Sequence, residues 1–169
     1  MTFQVGEKVV YPNHGVGTIE NITSRSFGAQ FERFYLLKLS CNSMTVMLPF
    51  SHVEQVGLRK ITRNGEIARV LNYLATGEGK GCQDWKDRFK ENSAKMQSGS
   101  LLEVAEVLKC LVRLQAHKPL SFREKKMLDR ARILLVEELS TSRGMREYEA
   151  IETLSKALGK SNLRFPEPL

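Results

Sequence analysis

Hydrophobic and polar positions follow two different patterns along this chain of 169 residues. Up to about Leu58 the apolar residues stand in short runs or alternate with polar ones, which is typical of strands. Beyond Leu58 they recur three or four residues apart, as on one face of a helix. We therefore predict an α+β protein of two domains, with a strand domain at 1–58, a linker at 59–64, a helical domain at 65–160 and a tail at 161–169.

Turn residues divide the strand domain into short strands. Pro12 and Gly15 punctuate the first turn, and Asn42 and Ser43 supply a later one. Several short strands in so small a domain predict a strongly bent barrel. The expected strands are Lys8–Tyr11, Gly15–Ile22, Phe34–Leu39, Met44–Pro49 and His52–Val56.

Serines and glycines mark the ends of about five helices in the second half. Ser100 and Ser121 each precede a glutamate by three residues, which is the signature of a capping box. The helix after Ser100 is apolar on most sides, so we expect it at the centre of the domain. The expected helices cover Ile67–Leu74 with Gly77 as cap, Trp85–Met96 ending near Gly99, Leu101 to about Gln115, Ser121 to about Leu139, and Met145–Leu158.

Charge is distributed unequally between the two domains. The first 58 residues hold four basic and four acidic residues, so the formal charge of +7 lies entirely in the rest of the chain. A basic domain attracts a polyanion such as nucleic acid. The neutral domain needs another kind of partner, most simply a protein.

Trp85 is the single tryptophan, and it stands among charged residues near the start of a predicted helix. One interpretation places it in the helical core beside Phe89, four residues further on. The other makes it an exposed wedge that enters a minor groove or stacks on an unpaired base. In that case Lys86, Arg88 and Lys90 would hold phosphates.

Lys125 and Lys126 open the fourth predicted helix, directly after Arg123 and Glu124. Cations in a first turn oppose the helix dipole at a cost of roughly tenths of a kcal/mol. These lysines are either part of a solvated helix face or phosphate contacts, and a phosphate contact would be a reason to accept the cost.

Aromatic residues are frequent in the strand domain. An aromatic cage for a methylated ligand is one use for them. A small barrel core needs several large side chains, however, so we expect core packing for the set Phe3, Tyr11, Phe27, Phe31, Phe34, Tyr35 and Phe50.

Little in the sequence indicates catalysis, a metal or a cofactor. Cys41, Cys82 and Cys110 are far apart and the histidines are scattered, so we expect free thiols in a reducing compartment and no zinc site. The glycine-rich segments 15–17 and 77–81 match no phosphate-loop spacing, and no nucleophile elbow occurs. We expect no enzyme activity. Because no signal peptide or long apolar run is visible, we also expect a cytosolic protein.

Four segments together resemble the CarD/CdnL family of bacterial transcription regulators. Residues 3–17 (F-x-V-G-E-x-V-V-Y-P-x-H-G-V-G) resemble the family's opening motif, and 56–59 (V-G-L-R) the end of its first domain. Residues 85–89 (W-x-x-R-F) resemble its tryptophan motif, and 120–132 (L-S-x-x-E-K-K-M-L-x-x-A-R) its fourth-helix motif. Asp87 stands where the family has an arginine, which implies fewer phosphate contacts. The opening motif alone would also fit the polymerase-binding module of the transcription-repair coupling factor.

The resemblance implies a Tudor-like, SH3-like barrel that binds the RNA polymerase β subunit. It also implies a helical domain that contacts promoter DNA at the upstream edge of the transcription bubble and stabilises the open complex, including at rRNA promoters. Such a protein would be bacterial, cytoplasmic and associated with the nucleoid through polymerase. Carried over by position, Trp85 is the wedge, and the residues on the DNA side are Lys86, Lys90, Lys125 and Lys126.

Two further residues are implied by position on the polymerase side. Arg25 falls where some members have an arginine that faces polymerase, and Met47 falls where some members have a second arginine. The methionine weakens the idea that a basic pair drives polymerase binding in this chain.

Two other functional classes stay open at this point. One is a protein-interaction module whose basic face is merely solvated, and the other is an RNA-binding factor. Salt-dependent retention on DNA separates the first from a DNA-binding regulator, and competition between RNA and forked DNA separates the second.

Overall fold

The computed structural model describes residues 2–40, 42–78 and 84–169. The first domain contains the strands β1 Lys8–Tyr11, β2 Gly15–Phe27, β3 Gln30–Leu39 and β4 Thr45–Pro49, then a 3-10 turn Phe50–His52, helix α1 Val53–Val56 and strand β5 Arg59–Lys60. The second domain contains the helices α2 Asn64–Thr76, α3 Trp85–Ser98, α4 Leu101–Gln115, α5 Phe122–Arg143 and α6 Glu147–Gly159. The predicted α+β class, with a Tudor-like strand domain followed by about five helices, is confirmed.

All five strands join one antiparallel sheet in the order β4-β3-β2-β1-β5. Strands β2 and β3 are longer than predicted and form one hairpin, whose turn contains Gly28 with a φ of 62°. The register of this hairpin shifts between Ile19 and Asn21, and such a bulge bends the strand that carries it. Because β4 and β5 are the two edges, the barrel is open between them.

Two predictions about the end of the strand domain are wrong. Residues 52–56, predicted as a strand, form the end of the 3-10 turn and helix α1. The last strand is instead Arg59–Lys60, within the predicted linker, where it pairs with β1. A strand of two residues shows no alternation that a sequence pattern could reveal.

Each domain has a hydrophobic core of its own. In the strand domain Phe3 and Tyr35 are buried, as predicted for its aromatic residues. The Tyr35 ring stacks on Phe50 at 4.2 Å between centroids, and its hydroxyl accepts a hydrogen bond of 3.0 Å from the Phe3 backbone N–H. The prediction of core packing is wrong for Phe31, which is exposed on the β2–β3 hairpin.

Helix α4 is the central helix of the second domain, as predicted. It contacts α2, α3 and α5, and Leu108 and Leu111 on it are fully buried. Both predicted serine caps are present, because Ser100 accepts from the Glu103 N–H at 3.4 Å and Ser121 accepts from the Glu124 N–H at 3.2 Å. Helix α5 continues one turn beyond its predicted end and stops at Arg143.

Lys109 is a buried charge that the sequence pattern did not predict. Its Nζ donates to the carbonyl oxygens of Tyr73 and Gly77, at 2.9 and 2.8 Å, and to the Ser161 hydroxyl at 3.0 Å. Burial lowers the pKa of this ammonium group, and the nearby Arg113 lowers it further. Lys109 thereby joins the end of α2 to the segment that follows α6.

Candidate functional site

Trp85 is the first residue of α3, and 46% of its surface is exposed. The interpretation that places Trp85 in the helical core therefore does not fit the structure. Lys86 and Lys90 are also exposed on α3, and so is Asp87. An exposed indole beside two cations has the composition of a surface that stacks on bases and holds phosphates.

Arg88 does not fit the prediction of a phosphate contact, because it is buried and already paired. Its guanidinium donates to both carboxylate oxygens of Glu124, at 2.9 and 3.1 Å, and both side chains are nearly inaccessible to solvent. A bidentate pair of this kind has a fixed geometry. Arg88 therefore holds the start of α3, which carries Trp85, against the start of α5.

A second contact joins the same two helix ends. The Arg123 guanidinium lies over the Phe89 ring at 4.7 Å from its centroid. Phe89 is therefore half-buried beneath Arg123, where the sequence suggested a core pair with Trp85. These two contacts join the starts of α3 and α5 into one unit.

The first turn of α5 adds further cations and another ring to this unit. Lys125 and Lys126 are exposed there, as both sequence interpretations allow. Phe122, which sequence reasoning missed, is 65% exposed, and the Lys126 Nζ lies 4.8 Å from its ring centroid. The sequence did indicate its place at the start of the helix, because Phe122 directly follows the capping Ser121. We name the resulting patch the helix-end surface, defined by Trp85, Lys86, Lys90, Phe122, Arg123, Lys125 and Lys126.

Arg25 and Met47 lie on one face of the sheet. Arg25 pairs with Glu32 across β2 and β3, and Met47 pairs with Leu36 across β3 and β4. Positions 32, 34 and 36 alternate to the same face of β3, opposite the face that carries the buried Tyr35. Both residues are exposed on this outer sheet face, and Met47 lies on the edge strand β4.

A buried carboxylate fastens the two domains to each other. Glu138 of α5 accepts two hydrogen bonds of 2.7 Å from the Arg59 guanidinium and one of 2.9 Å from the Thr62 backbone N–H. Arg59 also donates to the carbonyl of Gly99, at the end of α3. This interdomain clamp, Arg59, Thr62, Gly99 and Glu138, ties the last strand of the sheet to both helices that carry the helix-end surface.

The neighbouring Glu137 makes a further contact between the domains. Its Oε1 accepts a hydrogen bond of 2.5 Å from the Val16 backbone N–H. Burial raises the pKa of this carboxyl group, although the bond from Val16 and the nearby Arg130 act in the opposite direction. A Cβ on Gly15, whose φ is 102°, would lie only 2.9 Å from the same Oε1, so a side chain there would displace the Glu137 carboxylate from its bond to Val16.

Metal and membrane chemistry receive no support from the described parts of the chain. Within 2–40, 42–78 and 84–169, no three His, Cys, Asp or Glu side chains come close enough together to hold a metal ion. None of the helices described there combines the length and the apolar character needed to cross a bilayer. Cys110 is a free thiol, whereas Cys41 and Cys82 lie outside the described residues.

The fold defines a class of protein, namely a two-domain protein in which a small antiparallel sheet domain is joined to a basic helical domain. The family model for the CarD C-terminal domain matches residues 69–155, and the model for the CarD-like/TRCF RID domain matches residues 3–62. YdeB of Bacillus subtilis (strain 168), which is named as a transcription factor, is 36% identical over 147 residues, covering 87% of this chain and 96% of YdeB. The solved structure of CdnLNt from Myxococcus xanthus is 39% identical and covers 36% of this chain and 86% of its own, with a TM-score of 0.32.

The two family models and the match to YdeB show that the chain belongs to the CarD family. It is a transcription regulator that interacts with RNA polymerase. The two matched models meet between residues 62 and 69, just after the clamp residue Thr62.

Proposed function

We propose that this regulator binds the RNA polymerase β subunit through its sheet domain and promoter DNA at the upstream edge of the bubble through its helix-end surface. Its effect is to stabilise the open promoter complex, and rRNA promoters are expected among its targets. The observation that carries this proposal is the exposure of Trp85 among cations, on a helix end that buried contacts hold in place.

The outer sheet face supports the polymerase half of the proposal. Strand β4 is an edge strand, and an edge strand is the place at which a sheet can pair with a strand of another protein. Met47 on that edge and Arg25 on the same face provide an apolar and a cationic contact. Because Met47 is uncharged, the contact it makes with polymerase is apolar.

The exposed cations support DNA binding by the helical domain but allow only a weak affinity. The exposed cations of the helix-end surface would give weak, salt-sensitive binding, with a Kd of ~10⁻⁴–10⁻⁶ M for non-specific contact. The free protein would therefore seldom select a promoter. When the sheet domain is bound to polymerase, the local concentration of the helical domain near the promoter rises to roughly the mM range.

A wedge on such a tethered domain favours one state of the promoter. Unstacking a base step costs a few kcal/mol, but polymerase has already met that cost in melted DNA. A ring that stacks on the opened step therefore binds open DNA better than closed DNA, and the population shifts towards the open state. A preference of ~1.4 kcal/mol changes that equilibrium about tenfold.

The decisive experiment measures the open-complex half-life on one promoter with no added protein, with the wild-type chain and with Trp85→Ala. The matched control is Tyr148→Ala, which removes another exposed ring, on α6. We expect the wild-type chain and Tyr148→Ala to lengthen the half-life equally, and Trp85→Ala to lose most of the effect while still binding polymerase. Equal activity of Trp85→Ala and the wild-type chain would refute the wedge.

A second experiment addresses the polymerase contact. Met47→Glu in the full-length chain should weaken binding to the isolated polymerase β lobe, because it places a charge at the apolar edge, and calorimetry would measure the loss. Glu20→Ala, a change at an exposed residue at the β2 bulge, serves as a control that should bind normally. Normal binding by Met47→Glu would exclude the β4 edge as the docking site.

A further inference from the structure

Phe122 is an aromatic residue that lies exposed on the surface of the helical domain. It is the first residue of α5, and 65% of its surface is exposed, more than for Trp85. Its ring contacts the Lys126 ammonium group one turn further along the helix, with Nζ 4.8 Å from the ring centroid. The ring is therefore presented to solvent next to a cation.

Phe122 and Trp85 lie at the same end of the helical domain. Trp85 precedes Arg88 by three residues, Phe122 precedes Glu124 by two, and Arg88 and Glu124 are joined by hydrogen bonds of 2.9 and 3.1 Å. At a rise of ~1.5 Å per residue, the Cα atoms of Trp85 and Phe122 therefore lie within about 5 Å, along their own helix axes, of the Cα atoms of Arg88 and Glu124. Two exposed rings at one end of the domain are both available to the same nucleic acid.

The charge around Phe122 selects the kind of ligand. Arg123, Lys125 and Lys126 follow it directly, and the only acid in that turn, Glu124, is buried in the pair with Arg88. No ion pair joins Arg123, Lys125 or Lys126 to an acid within the part of the chain that the structure describes. A ring among such cations suits a ligand that offers both a flat apolar face and an anionic backbone. An unstacked nucleotide has both features.

We propose that Phe122 is a second stacking residue, which contacts a base or sugar beside the step that Trp85 enters, and that Lys126 holds the adjoining phosphate. This inference rests on the proposed DNA-binding function and adds a specificity-determining residue to it. The protein would then recognise forked or partly melted DNA with two rings on two different helices. Its preference for melted over paired DNA would depend on both rings.

The test compares Phe122→Ala, Trp85→Ala and Tyr148→Ala in the full-length chain, by fluorescence anisotropy with forked DNA and with fully paired DNA of the same sequence. Tyr148 is the matched control, because it is 62% exposed in the first turn of α6. We expect Phe122→Ala to bind forked DNA about five- to tenfold more weakly. Its affinity for paired DNA should change less, and Tyr148→Ala should bind both DNAs normally.

The salt dependence of binding distinguishes a ring contact from an indirect effect through Lys126. Loss of a stacking ring leaves the slope of log affinity against log salt unchanged, whereas loss of a phosphate contact reduces it by about one unit. An unchanged slope with weaker forked-DNA binding supports the inference, and a reduced slope in Phe122→Ala overturns it. Phe122→Tyr, which keeps the ring, should bind like the wild-type chain, and an unchanged thermal melt of Phe122→Ala excludes a folding defect as the cause.

The outcomes separate this inference from the proposed function. Wild-type binding by Phe122→Ala together with weak binding by Trp85→Ala would overturn the role of Phe122 and leave the wedge in place. Wild-type binding by both variants would overturn the role of Phe122 and the wedge role of Trp85 together.

Discussion

Glu138 is the residue whose removal should do most to separate the two domains. In Glu138→Ala the Arg59 guanidinium loses both of its 2.7 Å bonds to α5, and the Thr62 N–H loses its acceptor. The Glu138 side chain is almost completely buried, whereas 26% of the Arg59 side chain is exposed. The variant therefore leaves a partly buried cation without its counter-ion.

The expected cost follows from these contacts. Removing one partner of a buried ion pair costs ~3–5 kcal/mol. Because Arg59 can turn towards solvent, the lower end applies, and the unpaired Thr62 N–H adds about 1 kcal/mol. We expect Glu138→Ala to lower the free energy of unfolding by ~3–4 kcal/mol. The energy is lost at the junction of the domains, so the single unfolding transition should broaden or split.

The assay is a double-mutant cycle of Arg59→Ala and Glu138→Ala, followed by circular dichroism in urea. We expect a coupling energy of ~2 kcal/mol, because the two side chains share two hydrogen bonds. The control is Glu152→Ala, which removes an exposed ion pair to Lys156 at 3.4 Å and should cost at most ~0.5 kcal/mol. A coupling energy no larger than this control value would show that the clamp does not hold the domains together.

Three further predictions concern other parts of the molecule. Trp85→Ala should lower the free energy of unfolding by less than ~1 kcal/mol, because an exposed side chain leaves no cavity. A melting temperature that falls by many degrees would show that Trp85 packs in the core. The double variant Lys90→Ala and Lys125→Ala should lower the slope of log DNA affinity against log salt by about two units, and an unchanged slope would make both lysines ordinary surface residues. Burial raises the pKa of Glu137, so the folded state holds this proton more tightly than the unfolded state, and stability is lost as the pH rises through the folded pKa. We therefore expect the difference in unfolding free energy between Glu137→Gln and the wild-type chain, measured in urea, to favour the variant more at pH 7 than at pH 4. A difference that shrinks with rising pH would contradict this sign.

Local signals were sufficient for most elements. The serines at 100 and 121 and the glycines at 77 and 99 set helix ends that agree with the structure to within about one turn. The alternation of the early residues predicted the first four strands, although not the full length of the β2–β3 hairpin. What failed was the short last strand, because two residues carry no periodicity.

The residues of the helix-end surface could be predicted from the sequence only where their side chains are exposed to solvent. Trp85 and the lysines remain exposed, so their chemistry can be inferred from residue type and position. Arg88 is of a residue type that often binds phosphate, but its guanidinium is paired with Glu124, which lies 36 residues later in the chain. No local pattern contains such a pairing.

The interdomain clamp was missed for a related reason. Glu137 and Glu138 are adjacent and point in different directions around α5, which argues against a joint catalytic role. They contact different strands of the same sheet, at Val16 of β2 and Arg59 of β5. The arrangement becomes visible only when the sheet and the helix are packed together.

The buried Lys109 has a consequence for how the chain is made. Its ammonium group needs the carbonyls at the end of α2 and the hydroxyl of Ser161, a residue that is synthesised 52 positions later. Helix α2 also packs against α6. The sheet core contains no residue beyond Leu58 and can therefore assemble early during translation. The helical core must wait until residues near its far end have left the ribosome, so the nascent chain passes through a stage at which a folded sheet domain precedes an unfinished, positively charged segment.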